Sequence, residues 1–170
     1  MMDQSQTTPL PLWGDLAFEA LVRRFEAPVY RMAYRMTADA DLAREIGQEV
    51  FETVWIERHR YQEQGQLKCY VFQIARHKTL AALKRRRRRE SLWFLFGERT
   101  ESTVTQCESS GDAKRALMEL AVDQRELIIL RHVVGLSTQE LAQVLGVAEG
   151  TIKSRLSRAL DAARKGLSHG

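Results

Sequence analysis

The sequence predicts an all-α protein: two small helical domains joined by a flexible acidic linker, the second domain containing a helix-turn-helix. Three observations lead there. Apolar residues recur at helical spacing through most of the 170 residues. Only 10 Gly and 3 Pro are present, too few for a sandwich built on many tight turns. Composition also shifts sharply at residues 90–112, which divides the chain into a tail (1–14), a first domain (15–89), a linker (90–112) and a second domain (113–170).

The first domain opens on a stripe formed by Phe18, Leu21, Val22, Phe25, Val29, Met32 and Ala33. Pro28 interrupts it, so the segment is either one kinked helix or two helices. Leu42, Ile46, Val50 and Val54 then recur every four residues and mark a second helix, with Phe51 and Trp55 beside the later two. A polar loop, RHRYQEQGQLK, spans residues 58–68. The third stripe holds Tyr70, Val71, Ile74, Ala75 and Ala82 and runs into the basic segment LKRRRRRE. Tyr70 is expected in the core.

Charge is informative by position. The net of +4 divides into +5 over residues 1–89, −4 over 90–112 and +3 over 113–170. Residues 76–89 hold eight basic side chains and no acid. Five consecutive arginines point all round a helix, so one acidic neighbour cannot pair them all. Such a cluster attracts polyanions, because each neutralised phosphate releases a counterion. The linker, rich in Ser, Thr and Glu, shows no sustained apolar period. Its Leu92–Phe96 run, LWFLF, does not suit exposure. Packing on a domain is the expectation, with a clamp between the halves or a partner site as alternatives.

The last domain carries the sharpest motif, LSTQELAQVLGVAEGTIKSRLSRAL. Ser137 or Thr138 can cap a helix, and Glu140 lies where a capping box requires it. Leu141, Ala142 and Leu145 are the apolar positions, and Gly146 stands where a left-handed cap is needed. A second helix begins near Ala148–Gly150, with Ile152, Leu156, Ala159 and Leu160 inward. Two short helices across a tight turn form a helix-turn-helix, whose second helix enters the major groove. The DNA-facing candidates are Glu149, Thr151, Lys153, Ser154, Arg155 and Arg158. Arg155 suits bidentate contact to guanine and Arg158 the backbone.

These residues resemble a known family. The stretch from Leu120 to Lys165 resembles region 4 of bacterial RNA polymerase sigma factors of the extracytoplasmic-function (ECF) class. EIGQEVFETVW (Glu45–Trp55) and YVFQIARHKTLAALKRRRRR (Tyr70–Arg89) resemble region 2. Ala121 stands where the family usually has Pro, Tyr70-Val71 where Trp-Leu is common, His77 where Asn is usual and Ala81 where Asp is common.

The resemblance implies a specificity subunit that performs no chemistry itself. Asp41, Glu45, Gln48, Glu49 and Glu52 would dock on the β′ coiled coil of core RNA polymerase, and region 4 would meet the β flap. The −10 element would be held by Arg58, Arg60, Tyr61, Arg76, His77, Lys84, Arg85, Arg86, Arg87, Arg88 and Arg89, with Tyr61 as the loop's aromatic. The −35 element would fall to the helix-turn-helix. The acidic linker would thread the polymerase's basic RNA-exit region, and an anti-sigma factor is the expected regulator.

Competing classes are weaker. GTIKSRLSRA also resembles the DNA-binding end of LuxR-type regulators, but the N-terminal half lacks the βαβ alternation such a regulator requires. No GxxxxGK[ST], HExxH, GxSxG or paired metal-ligand spacing occurs, so no catalytic, cofactor or metal site is expected. Cys69 and Cys107 cannot form a disulfide framework. No apolar stretch approaches the ~20 residues needed to cross a bilayer. The N-terminus has neither a basic n-region nor an apolar h-region. The expected place is the cytoplasm, without membrane insertion.

Overall fold

The computed structural model describes residues 14–61, 65–96 and 111–168. Among them are seven α-helices and no strand: α1 (Asp15–Thr37), α2 (Ala40–Glu57), α3 (Leu67–Phe96), α4 (Gly111–Glu119), α5 (Val122–Ile128), α6 (Thr138–Leu145) and α7 (Glu149–Ser168). A π-helical turn, Ile129–Val133, continues α5.

The helix α1 is a single element that includes Pro28, settling the alternative left open at that residue. Proline removes one backbone donor, and the buried stripe of Val29, Met32, Ala33 and Met36 carries the helix past it. The chain reverses into α2 over two residues. Ala38 adopts a left-handed conformation (φ 56°) and its N–H bonds Tyr34 O at 2.8 Å. Asp39 then caps α2, its carboxylate accepting from the N–H groups of Asp41 and Leu42 at 3.1 and 3.0 Å. Ile46, Val50 and Val54 of α2 face α1 and α3, fully buried.

The basic segment does not end the third helix. α3 runs through Glu90 to Phe96, into residues assigned to the linker by composition. Helix propagation is cheap once nucleated, and Glu90 continues it by pairing with Arg86 at 2.9 Å, one turn earlier. The Leu92–Phe96 side chains, residues 97–110 and Cys107 lie outside the described residues. Cys69 is buried, and burial pushes its thiol up, away from the reactive thiolate.

The two helical units pack on one another: α3 lies against α6, and α1 against the π-helical turn. One apolar cluster runs from Val29, Met32, Ile46 and Phe72 through Leu127, Ile129 and Leu130 to Leu141 and Ile152. A smaller one, Leu120, Ile128 and Ala159, seats α4 and α5 on α7.

Arg125 anchors this junction from within. Its guanidinium is buried, and every acceptor it meets is backbone oxygen or sulfur: Leu117 O (2.9 Å), Met36 O (2.9 Å), Met118 O (2.7 Å), Leu120 O (3.1 Å) and Met118 Sδ (3.3 Å). Met36 O belongs to the C-terminal end of α1, where the helix dipole favours a cation. One side chain thus ties α1 to the α4–α5 corner.

Two stability outcomes follow. Ala38→Gly removes the side chain that opposes a left-handed backbone and is expected to stabilise by about 1 kcal/mol, read as a higher urea midpoint. Arg125→Met leaves several buried carbonyls without a donor and is expected to cost about 3 kcal/mol. A loss under about 1 kcal/mol in the same titration would refute the anchoring role.

Candidate nucleic-acid interface

The helix-turn-helix forms as its sequence directs. Ser137 Oγ accepts the Glu140 N–H at 3.1 Å, and the Ser137 N–H donates to Glu140 Oε2 at 2.6 Å, a complete capping box. Partial burial pushes the Glu140 carboxyl up. The Ser137 N–H and Lys68 outweigh it and hold the group below the usual carboxylate value. Gly146 ends α6 at φ 67°, a conformation glycine adopts without strain.

Leu141 and Val144 of α6 pack inward with Ile152 and Ala159 of α7, all buried. Ala142, Leu145, Leu156 and Leu160, also expected inside, are half-buried at the margin. The opposite face of α7 presents Glu149, Lys153, Ser154, Arg155 and Arg158 as exposed, with Thr151 half-buried. Ser154 Oγ donates to Thr151 O at 3.0 Å, and Arg158 Nε reaches back to Ser154 O at 3.3 Å.

The α3 cations divide into two groups. Lys84, Arg87, Arg88, Arg89 and His77 are exposed. Arg85, also exposed, lies 3.3 Å from Glu49, and Arg86 turns to Glu90, Asp39 (3.8 Å) and Thr37 O (3.4 Å). Arg76 sits 2.9 Å from Glu126 of α5, with side chains 23% and 5% exposed. Burial pushes the Glu126 carboxyl above its usual range while Arg76 pulls against it. A buried pair of this kind adds little net stability, because desolvation offsets the attraction.

In the α2–α3 loop, the Arg58 guanidinium lies 3.8 Å over the Trp55 ring. Tyr61 packs against Tyr70 with ring centroids 4.7 Å apart. Tyr70 is half-buried, and burial with Glu57 nearby raises its hydroxyl. Arg60 is exposed.

On α2, Asp41, Glu45, Gln48 and Glu52 are exposed along one polar stretch, Asp41 being paired with Arg44. Glu49 differs. It is 28% exposed and held between Lys78 (3.6 Å) and Arg85 (3.3 Å).

Sequence reasoning missed the contacts between the two units. Lys68 Nζ is 3.2 Å from Glu140 Oε1 and donates to Gly135 O at 3.1 Å. Gln73 Nε2 donates to Gln143 O at 3.0 Å. A cavity of about 370 Å³ opens where the units meet, bounded by Arg76, Asp123, Glu126, Arg155 and Arg158. One signal was present: Arg125-Glu126 is a charged pair leading into the apolar run LIIL, an expensive choice unless each has a buried task.

Comparison with known proteins agrees with this architecture. The family models for Sigma-70 region 2 and Sigma-70 region 4 match residues 21–89 and 110–162. The chain is 30% identical over 159 residues to the ECF RNA polymerase sigma factor RpoE of Cereibacter sphaeroides, covering 91% of this chain and 88% of that one. The chain belongs to the ECF sigma factor family.

A second ECF sigma factor, SigW of Bacillus subtilis, is 24% identical over 166 residues, covering 89% of each chain. The sigma factor RpoE of Bartonella quintana, solved with the anti-sigma factor NepR, superposes with a TM-score of 0.73 at 28% identity. It covers 89% of this chain and 96% of that one. CnrH, solved with the cytosolic domain of CnrY, shares the fold with a TM-score of 0.69 at 22% identity. It covers 92% of this chain and 91% of that one. Within this ECF sigma factor, α1–α3 thus make the region 2 unit and α4–α7 the region 4 unit. No described helix is long and apolar enough to cross a membrane.

Proposed function

We propose that this sigma factor binds core RNA polymerase and directs it to promoters by recognising −35 and −10 elements, working in the cytoplasm and performing no chemistry itself. The observation that carries the reading is the α7 surface. Lys153, Ser154 and Arg155 stand exposed on the first turns of a helix whose opposite face is buried in a capped helix-turn-helix. That geometry suits major-groove entry, with Arg155 and Glu149 toward base edges and Arg158 nearer the backbone.

The −10 strand falls to α3 and the loop before it. Lys84 and Arg87–Arg89 offer exposed cations, with His77 and Arg60 alongside. Arg58, Tyr61, Arg76, Arg85 and Arg86 join them by rearrangement, since each is engaged within the free protein. The β′ coiled coil meets Asp41, Glu45, Gln48 and Glu52, and Glu49 contributes by way of Lys78 and Arg85. The β flap is the partner of the region 4 unit. Residues 90–112, with a net charge of −4, suit passage through a basic channel. An anti-sigma factor is the natural regulator, as the sigma factor RpoE of Bartonella quintana, which shares this fold, was solved with the anti-sigma factor NepR.

In vitro transcription with core polymerase on a promoter library tests the whole reading. Enrichment of paired −35 and −10 sequences is expected, and failure to bind core polymerase would overturn it. Arg155→Ala is expected to relax one −35 position by roughly 1–3 kcal/mol of discrimination; unchanged selectivity would remove that residue from the base contacts. Charge reversal at Glu45 and Glu52, both exposed, is expected to weaken capture of core polymerase while leaving the unfolding midpoint in place. Capture at wild-type strength would refute the α2 dock.

A further inference from the structure

A −35 and a −10 element lie about 25 base pairs apart, or ~85 Å of duplex at 3.4 Å per base pair. In this structure Arg155 and Arg158 of the −35 reader line the same 370 Å³ cavity as Arg76, a −10 candidate. The described conformation therefore cannot engage both elements together. Residues 97–110 reach at most about 50 Å when extended, and α3 itself is ~45 Å long, enough for the units to part.

What holds the units together is partly charged, and the charges have one pattern. Carboxylates of the region 4 unit sit on cations at two points along α3: Glu126 on Arg76 at 2.9 Å and Glu140 on Lys68 at 3.2 Å. Within the region 2 unit, Glu49 does the same to Lys78 and Arg85. A carboxylate and a phosphate offer a guanidinium or ammonium the same charge and similar acceptors. Each site holds one or the other.

We propose that Glu126 and Glu140 stand in for DNA phosphate on Arg76 and Lys68, so that closure of the free protein and nucleic-acid binding to α3 compete for the same cations. The inference rests on the proposed reading of α3 as a DNA surface. Binding a single strand along α3 displaces both carboxylates and frees the region 4 unit; closure in turn weakens non-specific binding before polymerase is engaged. The apolar contact supplies attraction in the closed state, and the two ion pairs make that state sensitive to polyanions.

The test uses the full chain carrying a donor and an acceptor dye at Glu26→Cys and Gln139→Cys, both exposed positions on α1 and α6, with Cys107→Ser and the buried Cys69 left in place. Single-stranded oligothymidylate is the probe, its binding followed separately by anisotropy. Energy transfer is expected to fall as the oligomer saturates the protein. Arg76→Glu, which faces Glu126 with a like charge, is expected to lower transfer without DNA. Arg76→Glu with Glu126→Arg is expected to restore it and to stay closed in the presence of oligomer. Glu140→Gln keeps the capping box and is expected to bind the oligomer about threefold more tightly.

Oligomer bound with transfer unchanged would overturn the competition alone. No oligomer binding at all would overturn the DNA reading of α3 and the competition with it. If Arg76→Glu loses its helical circular dichroism, Lys68→Glu carries the same test, because its pair with Glu140 is about one-third exposed. A Lys68→Glu chain as closed as wild type would then count against the proposal.

Discussion

The buried guanidinium of Arg125 is the constraint on which the rest of the arrangement depends. Each of its nitrogens donates inward, to carbonyls at the end of α1 and around the α4–α5 corner and to the Met118 sulfur. Burial and the charge of Arg87 both lower its pKa, yet a guanidinium stays cationic in proteins. Its position is therefore specified by acceptors, and those acceptors come from both units. With Arg125 fixed, the next residue along the helix, Glu126, faces α3 and meets Arg76. The π-helical turn that follows packs on α1 and lets Leu136 and the capping box of α6 fall beside Lys68.

The two faces of the junction differ in what they contribute. Ile129, Leu130 and Leu136 are fully buried in the shared core and account for attraction, which is insensitive to direction. Lys68–Glu140, Arg76–Glu126 and Gln73–Gln143 are directional and fix how the surfaces register. The cost of burying Glu126 appears in its raised carboxyl. A hydrophobic pair at that place would hold the units together at less cost. A charged pair there carries something more than adhesion, namely responsiveness to other charges.

Legibility in the sequence followed the range of the interaction. The capping box at Ser137–Glu140, the left-handed Gly146 and the inward stripe of α2 are decided within one or two turns, and each appears as read. Both helical units and the sigma family were legible for the same reason. Where α3 ends was not legible, because composition changes at Glu90 although the helix and the Arg86–Glu90 pair do not stop there. The basic residues illustrate the harder limit. Arg76 and Arg88 are the same residue on the same helix, yet one pairs with an acid fifty residues away and the other is exposed. Only the tertiary arrangement separates them.

That separation bears on how a protein with a net charge of only +4 can bind a polyanion selectively. In the closed chain several α3 cations are neutralised locally, and the exposed ones outside these pairs, Lys84 and Arg87–Arg89, lie together toward the C-terminal end of the basic stretch. The field is therefore concentrated at one end of the helix and weakened along the rest. Non-specific affinity grows with the number of phosphates neutralised, so masking cations lowers it most where specificity is least. Under the proposed reading exposed arginines draw the strand to α3, and a phosphate engaged at Arg76 or Lys68 must displace a carboxylate that also holds the units together. Binding becomes strong only when the gain from many contacts exceeds the loss of the shared core, a condition a promoter on polymerase meets more readily than isolated DNA.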